Sequence, residues 1–163
     1  MDYEYFMREA FREAEFAYDR GDLPVGAVLV VGRKIVARAG NSARTAHNPL
    51  LHAETVLLYN HGGIIKNNKD VENIVFTSWE PCFNCVGAAT VTKVQKIIYA
   101  CPDPIGGAAH MNLRDVPPWF RENRPKIEQG PLGEESYALL VKYMEEHKRT
   151  WGDFLVNFRR AHD

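Results

Sequence analysis

Two short motifs constrain this chain more than any other feature: His52-Ala53-Glu54 and Pro81-Cys82-Phe83-Asn84-Cys85. One imidazole and two thiols are three good zinc ligands, and three protein ligands leave a fourth tetrahedral position open for water. That arrangement is typical of a catalytic zinc rather than a structural one. The fold must therefore bring His52, Cys82 and Cys85 together around one ion.

The carboxylate of Glu54 has a different predicted role. Residues i and i+2 on a helix point in different directions, so Glu54 is poorly placed as a second ligand beside His52. It is instead expected to reach a water on the metal, which ionises near pH ~7. A carboxylate beside that water can take the proton and return it to a leaving group. We therefore predict that Glu54 is the catalytic proton shuttle.

Both motifs are predicted to lie at helix N-termini. Asn48-Pro49 is typical of an N-cap followed by proline at the first helical position, and would open a helix that runs to about Tyr59. Pro81 likewise opens a helix, with Cys82 and Cys85 on one face. The helix dipole and the metal both favour the thiolate form at such a position.

Three other interpretations of the motifs were considered. A Cys-x-x-Cys pair alone is equally typical of a redox site or a zinc ribbon. A ribbon needs a second ligand pair, but Cys101 stands alone, and a thioredoxin-like site does not account for His-Ala-Glu. A non-catalytic scaffold subunit with a structural zinc is the third alternative, and Glu54 argues against it because a structural site has no use for a proton shuttle.

With the two motifs in this order, the chain resembles the cytidine deaminase-like superfamily of zinc-dependent base deaminases. Within it, the chain is most similar to the tRNA-specific adenosine deaminase branch and to guanine and cytosine deaminases, over residues 3–140. The resemblance is carried by Leu23-Pro24-Val25-Gly26-Ala27-Val28-Leu29-Val30, Asn41, His47-Asn48-Pro49, His52-Ala53-Glu54, Glu80-Pro81-Cys82-Phe83-Asn84-Cys85 and Gly107-Ala108-Ala109.

The resemblance implies one Zn²⁺ per chain, a homodimer, and a three-layer α/β/α fold around a mixed sheet of about five strands. It also implies a role for each site residue. The metal ligands are His52, Cys82 and Cys85, and the proton shuttle is Glu54. Asn41 hydrogen-bonds the substrate, with turn chemistry as the alternative. Asp103 lies at the substrate mouth, with a turn-capping aspartate as the alternative.

The hydrophobic pattern also predicts an α/β architecture. A buried apolar strand and its neighbour form an antiparallel hairpin, and two later strands flank the second metal helix as a right-handed parallel crossover. The predicted helices are 2–20, the two metal helices, 133–149 and an aromatic-rich tail, and the predicted strands are 25–31, 35–38, 73–78, 97–100 and 124–128.

Composition indicates one ordinary domain over residues 1–163. The net charge of −1 and a pI near 6.6 argue against a strongly electrostatic nucleic-acid binder. Three cysteines, two of them assigned to metal, indicate a reducing compartment. No apolar run reaches ~18 residues and no leader pattern is visible, so no membrane association is expected. These features predict a cytoplasmic protein.

The last part of the chain departs from the RNA-acting branch, which carries a basic residue after the fourth strand and aromatic residues with arginines in the last helix. Here Ile105 stands in that loop, and Glu145-Glu146 in that helix would repel a phosphate backbone. The sequence therefore favours a small nucleobase, nucleoside or related amino-heterocycle as the substrate, deaminated with release of ammonia. A tRNA adenosine is the alternative substrate.

Aromatic residues are expected to shape the pocket. Trp79 adjoins the second metal motif and is predicted to be either a pocket wall or part of the core. The tail, residues 150–163, carries Trp151, Phe154 and Phe158, which would either cover the pocket or pack against the core or a second subunit. A covered pocket would exclude water and hold a flat heterocycle by apolar contact.

Overall fold

The computed structural model describes all residues from Met1 to Asp163 as a sheet of five strands with six helices around it. The strands are β1 (Gly26–Val31), β2 (Lys34–Gly40), β3 (Asn73–Trp79), β4 (Lys96–Cys101) and β5 (Lys126–Gln129). The helices are α1 (Tyr3–Asp19), α2 (Ala53–Asn67), α3 (Phe83–Thr92), α4 (Pro118–Asn123), α5 (Gly133–Glu146) and α6 (Lys148–His162).

The sheet is mixed, with strand order β2-β1-β3-β4-β5. Strand β1 runs antiparallel to both β2 and β3, whereas β3, β4 and β5 run parallel to one another. The hairpin and the parallel crossover through α3 are therefore confirmed, as is the three-layer α/β/α class with five strands. The carboxyl ends of β3 and β4 meet at one edge of the sheet, which is where ligands bind in open α/β sheets.

Helices cover both faces of the sheet because side chains alternate along each strand. On one face, Phe76 is fully buried and its ring packs against Phe6 of α1 at 5.3 Å between centroids. Burying a side chain of this size stabilises the fold by about 1.5–3 kcal/mol. On the other face, Leu29 and Val75 pack in one cluster with Leu57 of α2 and Ala89 of α3.

Gly26 allows α1 to lie directly on the sheet. A Cβ atom at this position would lie 2.2 Å from the carbonyl oxygen of Ala10 and 2.3 Å from the amide nitrogen of Ala14. These are backbone atoms of a helix, so they cannot move aside separately. The glycine therefore fixes the depth at which the first helix packs against β1.

The predicted starts of the two metal helices are wrong by a few residues. Helix α2 begins at Ala53 with His52 as its N-cap, because Asn48 closes a local turn instead: its Oδ1 accepts from Leu50 N at 3.1 Å. Likewise, α3 begins at Phe83 with Cys82 as its N-cap. Helix α2 also continues beyond its predicted end, through Gly62 and Gly63 to Asn67. A glycine inside a helix costs only about 1 kcal/mol, and Ile65 on the added turn is buried in the core.

The C-terminal part is more helical than predicted. The expected helix over 133–149 divides at His147 into α5 and α6, and the irregular stretch 111–131 contains the short α4. Leu155 and Phe158 of α6 are both buried in the core. Residues 150–163 thus pack as part of the domain. None of the helices has both the length and the apolar character needed to cross a bilayer.

Candidate metal centre and active site

The structure brings the two sequence motifs together at the edge where β3 ends. His52 precedes the first residue of α2, and Cys82 and Cys85 lie at the start of α3, so two helix N-termini converge on one point. His52 Nδ1 lies 3.5 Å from each of the two sulfur atoms, and the sulfur atoms lie 3.6 Å apart. These three residues form the one group in the chain with suitable spacing for a metal ion.

These distances fit zinc. Bonds of ~2.3 Å to sulfur and ~2.0–2.1 Å to nitrogen, at tetrahedral angles, place nitrogen and sulfur about 3.6 Å apart and the two sulfurs about 3.8 Å apart. The observed separations of 3.5 and 3.6 Å agree with these values within 0.2 Å. Three ligands also leave the fourth tetrahedral position for water or substrate.

The protonation of the cluster also suits a dication. Hydrogen bonds from Cys85 and His52 lower the pKa of Cys82 to about 4. The pKa of Cys85 is raised, because its thiol bonds to Cys82 and is buried. The hydrogen bond to Cys82 raises the pKa of His52. Without metal, Cys82 is therefore the thiol that ionises first, and Cys85 keeps its proton. Zinc replaces such protons when it binds, because its ligands must be deprotonated.

Glu54 lies in the first turn of α2, beside this cluster and almost fully buried. Its Oε1 accepts a hydrogen bond from Thr77 Oγ1 at 2.7 Å, and its Oε2 lies 3.4 Å from Cys85 Sγ. Burial raises the pKa of Glu54, while the bond from Thr77 opposes the rise. A carboxylate with a raised pKa holds and releases a proton closer to neutral pH, as a general acid–base group must.

A small pocket of about 170 Å³, here called the inner pocket, opens over the metal ligands. Nine of the residues that the sequence proposed for the site line it, although they come from five separate segments of the chain. They are Asn41, His52, Glu54, Trp79, Cys82, Cys85, Asp103, Trp151 and Phe154. Sequence reasoning missed three other lining residues, Leu23, Val25 and Glu80, although all three belong to motifs that carried the resemblance.

Asn41 follows the last residue of β2 and is buried. Its backbone N–H donates to Val25 O at 2.8 Å, and its Oδ1 accepts from Ala43 N at 3.0 Å. The side chain therefore does close a turn, as the alternative interpretation expected. Its Nδ2 forms no hydrogen bond within the protein, so it remains able to donate to a ligand in the inner pocket.

Asp103 and Glu80 shape the mouth of the inner pocket. Asp103 Oδ1 accepts from the backbone N–H groups of Ile105 and Gly106, which is the turn-capping arrangement, and burial raises its pKa. Glu80 had no predicted role, yet its two carboxylate oxygens accept from the backbone N–H groups of Asp103 and Ala109 at 2.8 and 2.9 Å. Glu80 thus holds the loop that carries Asp103.

Three aromatic rings form one wall of the inner pocket. Trp79, only 7% exposed, meets Phe154 edge-on at 6.2 Å, and Trp151 meets Phe154 edge-on at 5.4 Å. Trp79 is both pocket wall and core, because its ring also packs against Phe158 at 5.8 Å. Phe158 itself is fully buried and does not line the pocket, so for this ring the alternative, packing against the core, is the one observed.

A buried carboxylate beside a His-Cys-Cys metal cluster, at the edge of an α/β/α sheet, defines the class of zinc-dependent base deaminases. Residues 1–101 match the zinc-binding region of cytidine and deoxycytidylate deaminases, and the chain belongs to this family. It is a hydrolytic deaminase that acts on C–N bonds and uses zinc, as the sequence predicted.

Three known proteins are similar to this chain in sequence or structure. The tRNA-specific adenosine deaminase of Rickettsia bellii is 33% identical over 83% of this chain and 94% of its own. A structure from a study of A-to-I editing by tRNA:A34 deaminases at the wobble position superposes with a TM-score of 0.68, at 27% identity, over 80% of this chain and all of that one. Guanine deaminase from Bacillus subtilis gives a TM-score of 0.54 at 28% identity, over 63% of this chain and 66% of that one.

Proposed function

We propose that the protein deaminates adenosine to inosine within tRNA. The observation that carries this proposal is the 33% identity to a tRNA-specific adenosine deaminase over 83% of the chain. The alternative substrate of the sequence analysis thereby becomes the main one. Zinc-dependent deamination of a base is common to a small nucleobase or nucleoside and to a tRNA adenosine. The two substrates differ only in the chemical groups attached to the base.

The contacts of two glutamates weaken one sequence argument against RNA. Glu145 forms an ion pair with Arg159 at 2.5 Å, and Glu146 accepts hydrogen bonds from the hydroxyl of Tyr18 at 2.7 and 2.8 Å. Both glutamates therefore have partners, and neither lines the inner pocket. Arg159 offsets the charge of Glu145, and the charge of Glu146 lies outside the lining of the inner pocket.

In this proposal each residue of the inner pocket has one role. His52, Cys82 and Cys85 hold the zinc, which when bound lowers the pKa of a coordinated water to about 7 and so supplies a nucleophile at neutral pH. Glu54 takes a proton and delivers it to the departing amino group. Asn41 Nδ2 donates a hydrogen bond to the base.

The remaining groups exclude water and limit the space. Trp151 and Phe154 provide apolar contact for the face of the base, while Trp79 closes the wall behind them. Asp103 stands at the mouth, on the loop held by Glu80. Removing water from such a site strengthens the electrostatic interactions inside it.

A free purine such as guanine is the second candidate substrate. It is favoured by the size of the inner pocket, about 170 Å³, which suits a base alone. Sites for whole ligands usually measure ~300–1,000 Å³. The aromatic contribution of α6 to this pocket also agrees with a substrate that is enclosed rather than presented on a long chain.

A homodimer is the proposed assembly. An apolar groove of about 870 Å³ runs between α2 and α3, and Tyr59 on it is 92% exposed. Exposed apolar patches of this kind mark association surfaces. Gly87 and Ala88 line the groove, so another backbone can approach closely there. Ala89, the next residue of α3, is instead buried in the core.

The proposed function is tested by a substrate panel. Zinc-loaded protein is incubated with unmodified tRNA, adenosine, adenine and guanine, and inosine formation and ammonia release are measured. We expect turnover on tRNA, and a loss of at least ~10²-fold in Glu54→Ala, a typical acid–base contribution. Turnover of guanine with every tRNA left unmodified would transfer the assignment to the second candidate. No turnover of any substrate would overturn both.

A further inference from the structure

We infer that the active site continues into a second pocket that binds a phosphate group of the substrate, through Arg44, His147 and Thr150. This inference rests on the proposed function, because it concerns the part of a nucleotide that lies beyond the reacting base. It assigns a class of substrate that carries phosphate, whether as a free nucleotide or as an RNA chain.

The second pocket, here called the outer pocket, measures about 380 Å³ and adjoins the inner pocket. The two pockets share four lining residues, namely Leu23, Asn41, His52 and Trp151. The others are Ala43, Arg44, Pro49, Tyr143, His147 and Thr150. A base bound with its amino group at the metal ligands fills the small inner pocket. The outer pocket is then the adjacent space for the groups attached to that base.

The outer pocket is cationic and contains no carboxylate. Arg44 takes part in none of the ion pairs of the molecule. One of its guanidinium nitrogens, Nη1, donates to the backbone carbonyl of Gly21 at 2.8 Å, which holds the side chain in place without neutralising it. Its remaining donors are free, and a guanidinium with free donors is well suited to phosphate oxygens.

The nearest carboxylate is already satisfied. Asp22 is fully buried and accepts from the backbone N–H groups of Arg44 and Thr45 and from the Thr45 hydroxyl, at 2.7–3.0 Å. Arg20 Nε lies 3.5 Å from Asp22 Oδ2, the oxygen that also accepts from the Thr45 hydroxyl, and supplies a compensating charge. Asp22 therefore fixes the backbone of the loop that carries Arg44 but leaves the charge of Arg44 available to a ligand.

His147 and Thr150, at the junction of α5 and α6, also line the outer pocket. The ring of His147 stacks on Tyr143 at 4.1 Å, and its Nδ1 donates to the Tyr143 carbonyl at 2.8 Å. Its Nε2 is left without a partner in the protein. The Thr150 side chain, one turn further along, adds a hydroxyl to the same lining. Arg44, His147 and Thr150 thus line one pocket whose lining contains no acid.

The test compares matched ligands with and without phosphate. Adenosine and adenosine 5′-monophosphate, guanosine and guanosine 5′-monophosphate, and an RNA hairpin with adenosine in its loop are bound to zinc-loaded Glu54→Ala protein and measured by calorimetry. The same ligands are turned over by protein with native Glu54. In each background Arg44→Ala, Arg44→Lys and His147→Gln are compared, with Arg33→Ala, an exposed cation at the opposite end of β1, as the control.

We expect Arg44→Ala to reduce the preference for phosphate-bearing ligands over the matched nucleosides by at least ~10-fold, and Arg44→Lys to restore part of it. For the hairpin, the dependence of log affinity on log salt should decrease by about one charge. Arg33→Ala should keep the native preference. Sensitivity of the hairpin alone would identify the phosphate as part of an RNA chain, and sensitivity of the mononucleotides too would identify a single nucleotide.

Two results would overturn the inference. One is that nucleotides bind no better than nucleosides to the native outer pocket; the other is that Arg44→Ala weakens both kinds of ligand equally. Because binding is measured separately from turnover, these results are distinct from failure of the proposed function. A protein that binds nucleotides through Arg44 but deaminates no adenosine would keep the outer pocket and lose only the proposed reaction.

Discussion

The Thr77 hydroxyl donates a hydrogen bond of 2.7 Å to Glu54 Oε1, which leaves Glu54 Oε2 3.4 Å from the sulfur of Cys85. Thr77 lies on β3 and Glu54 on α2, so the sheet directly positions the carboxylate beside the metal ligands. Thr77 anchors one oxygen, and the other faces the metal ligands, where it accepts from the Cys85 thiol. Nothing in the sequence near Glu54 predicts this partner.

The first prediction concerns this anchor. Thr77→Val keeps the shape of the side chain but removes the donor, so Glu54 should lose its orientation while the zinc site stays intact. We expect kcat to fall by about 10–10²-fold, since small misplacements of reacting groups have costs of that order. Steady-state kinetics and zinc content check this. Thr77→Ser, which retains the hydroxyl, is the matched control and should keep most of the activity.

The second prediction is metal content. Cys82→Ala removes one of three ligands and should reduce bound zinc well below one ion per chain, as measured by elemental analysis of purified protein. Cys101→Ala is the control, because Cys101 is a buried thiol that does not belong to the metal-ligand group, and it should keep one zinc per chain. Full zinc occupancy in Cys82→Ala would contradict the ligand assignment.

The third prediction separates pocket wall from core within α6. Phe154 lines the inner pocket, whereas Phe158 is fully buried beneath it. Phe158→Ala should lower the free energy of unfolding by about 3–5 kcal/mol, as expected for a truncated core aromatic. Phe154→Ala should cost less stability and instead raise KM. Denaturant titration and kinetics of both variants test this, and equal effects of the two substitutions on KM would count against it.

The fourth prediction concerns the loop that carries Asp103. Glu80→Gln retains one carbonyl oxygen but replaces the other acceptor with an amide that faces the N–H of Asp103 or Ala109. Leaving a buried donor without an acceptor costs about 1–3 kcal/mol, so the unfolding midpoint should fall and the loop should exchange amide hydrogens faster. Glu145→Gln, at an exposed ion pair, should change stability by no more than about 1 kcal/mol.

The fifth prediction tests the assembly. Tyr59→Asp places a charge in the apolar groove between α2 and α3, where the side chain is almost fully exposed in the single chain. If two copies meet there, light scattering should report a dimer for the native protein and a monomer for the variant. Phe16→Asp, an exposed aromatic on α1, should leave the dimer intact. A native monomer at working concentration would refute the proposal.

Several local expectations failed for a common reason. The sequence predicts that Asn48 caps a helix and that this helix ends at about Tyr59, because asparagine before proline is typical of an N-cap. In the structure, Asn48 bonds to the nearby backbone, and burial of Ile65 carries α2 past Gly62 and Gly63. Helix propensities differ by about 1 kcal/mol between residues, so they decide where a helix ends only when tertiary packing does not favour one end over another.

The interpretation of Glu145 and Glu146 shows the same limit for charge. From the sequence they are two unpaired acids in the last helix before the tail. Their partners, Arg159 and Tyr18, lie 14 and 128 residues away, and no pattern in the sequence connects them. Electrostatic effects depend on distance in space, so counting charges along a segment overstated their repulsion of a phosphate chain.

The sequence by itself determined the chemistry of this protein. His52, Glu54, Cys82 and Cys85 are residue types with specific metal and proton affinities, and their spacing at helix starts already restricts them to a catalytic zinc site. Only the tertiary structure decided how that chemistry is surrounded. The hydrogen bond from Thr77, the loop held by Glu80, the wall formed by α6 and the outer pocket around Arg44 all join distant segments, and such contacts arise from packing, which local sequence does not encode.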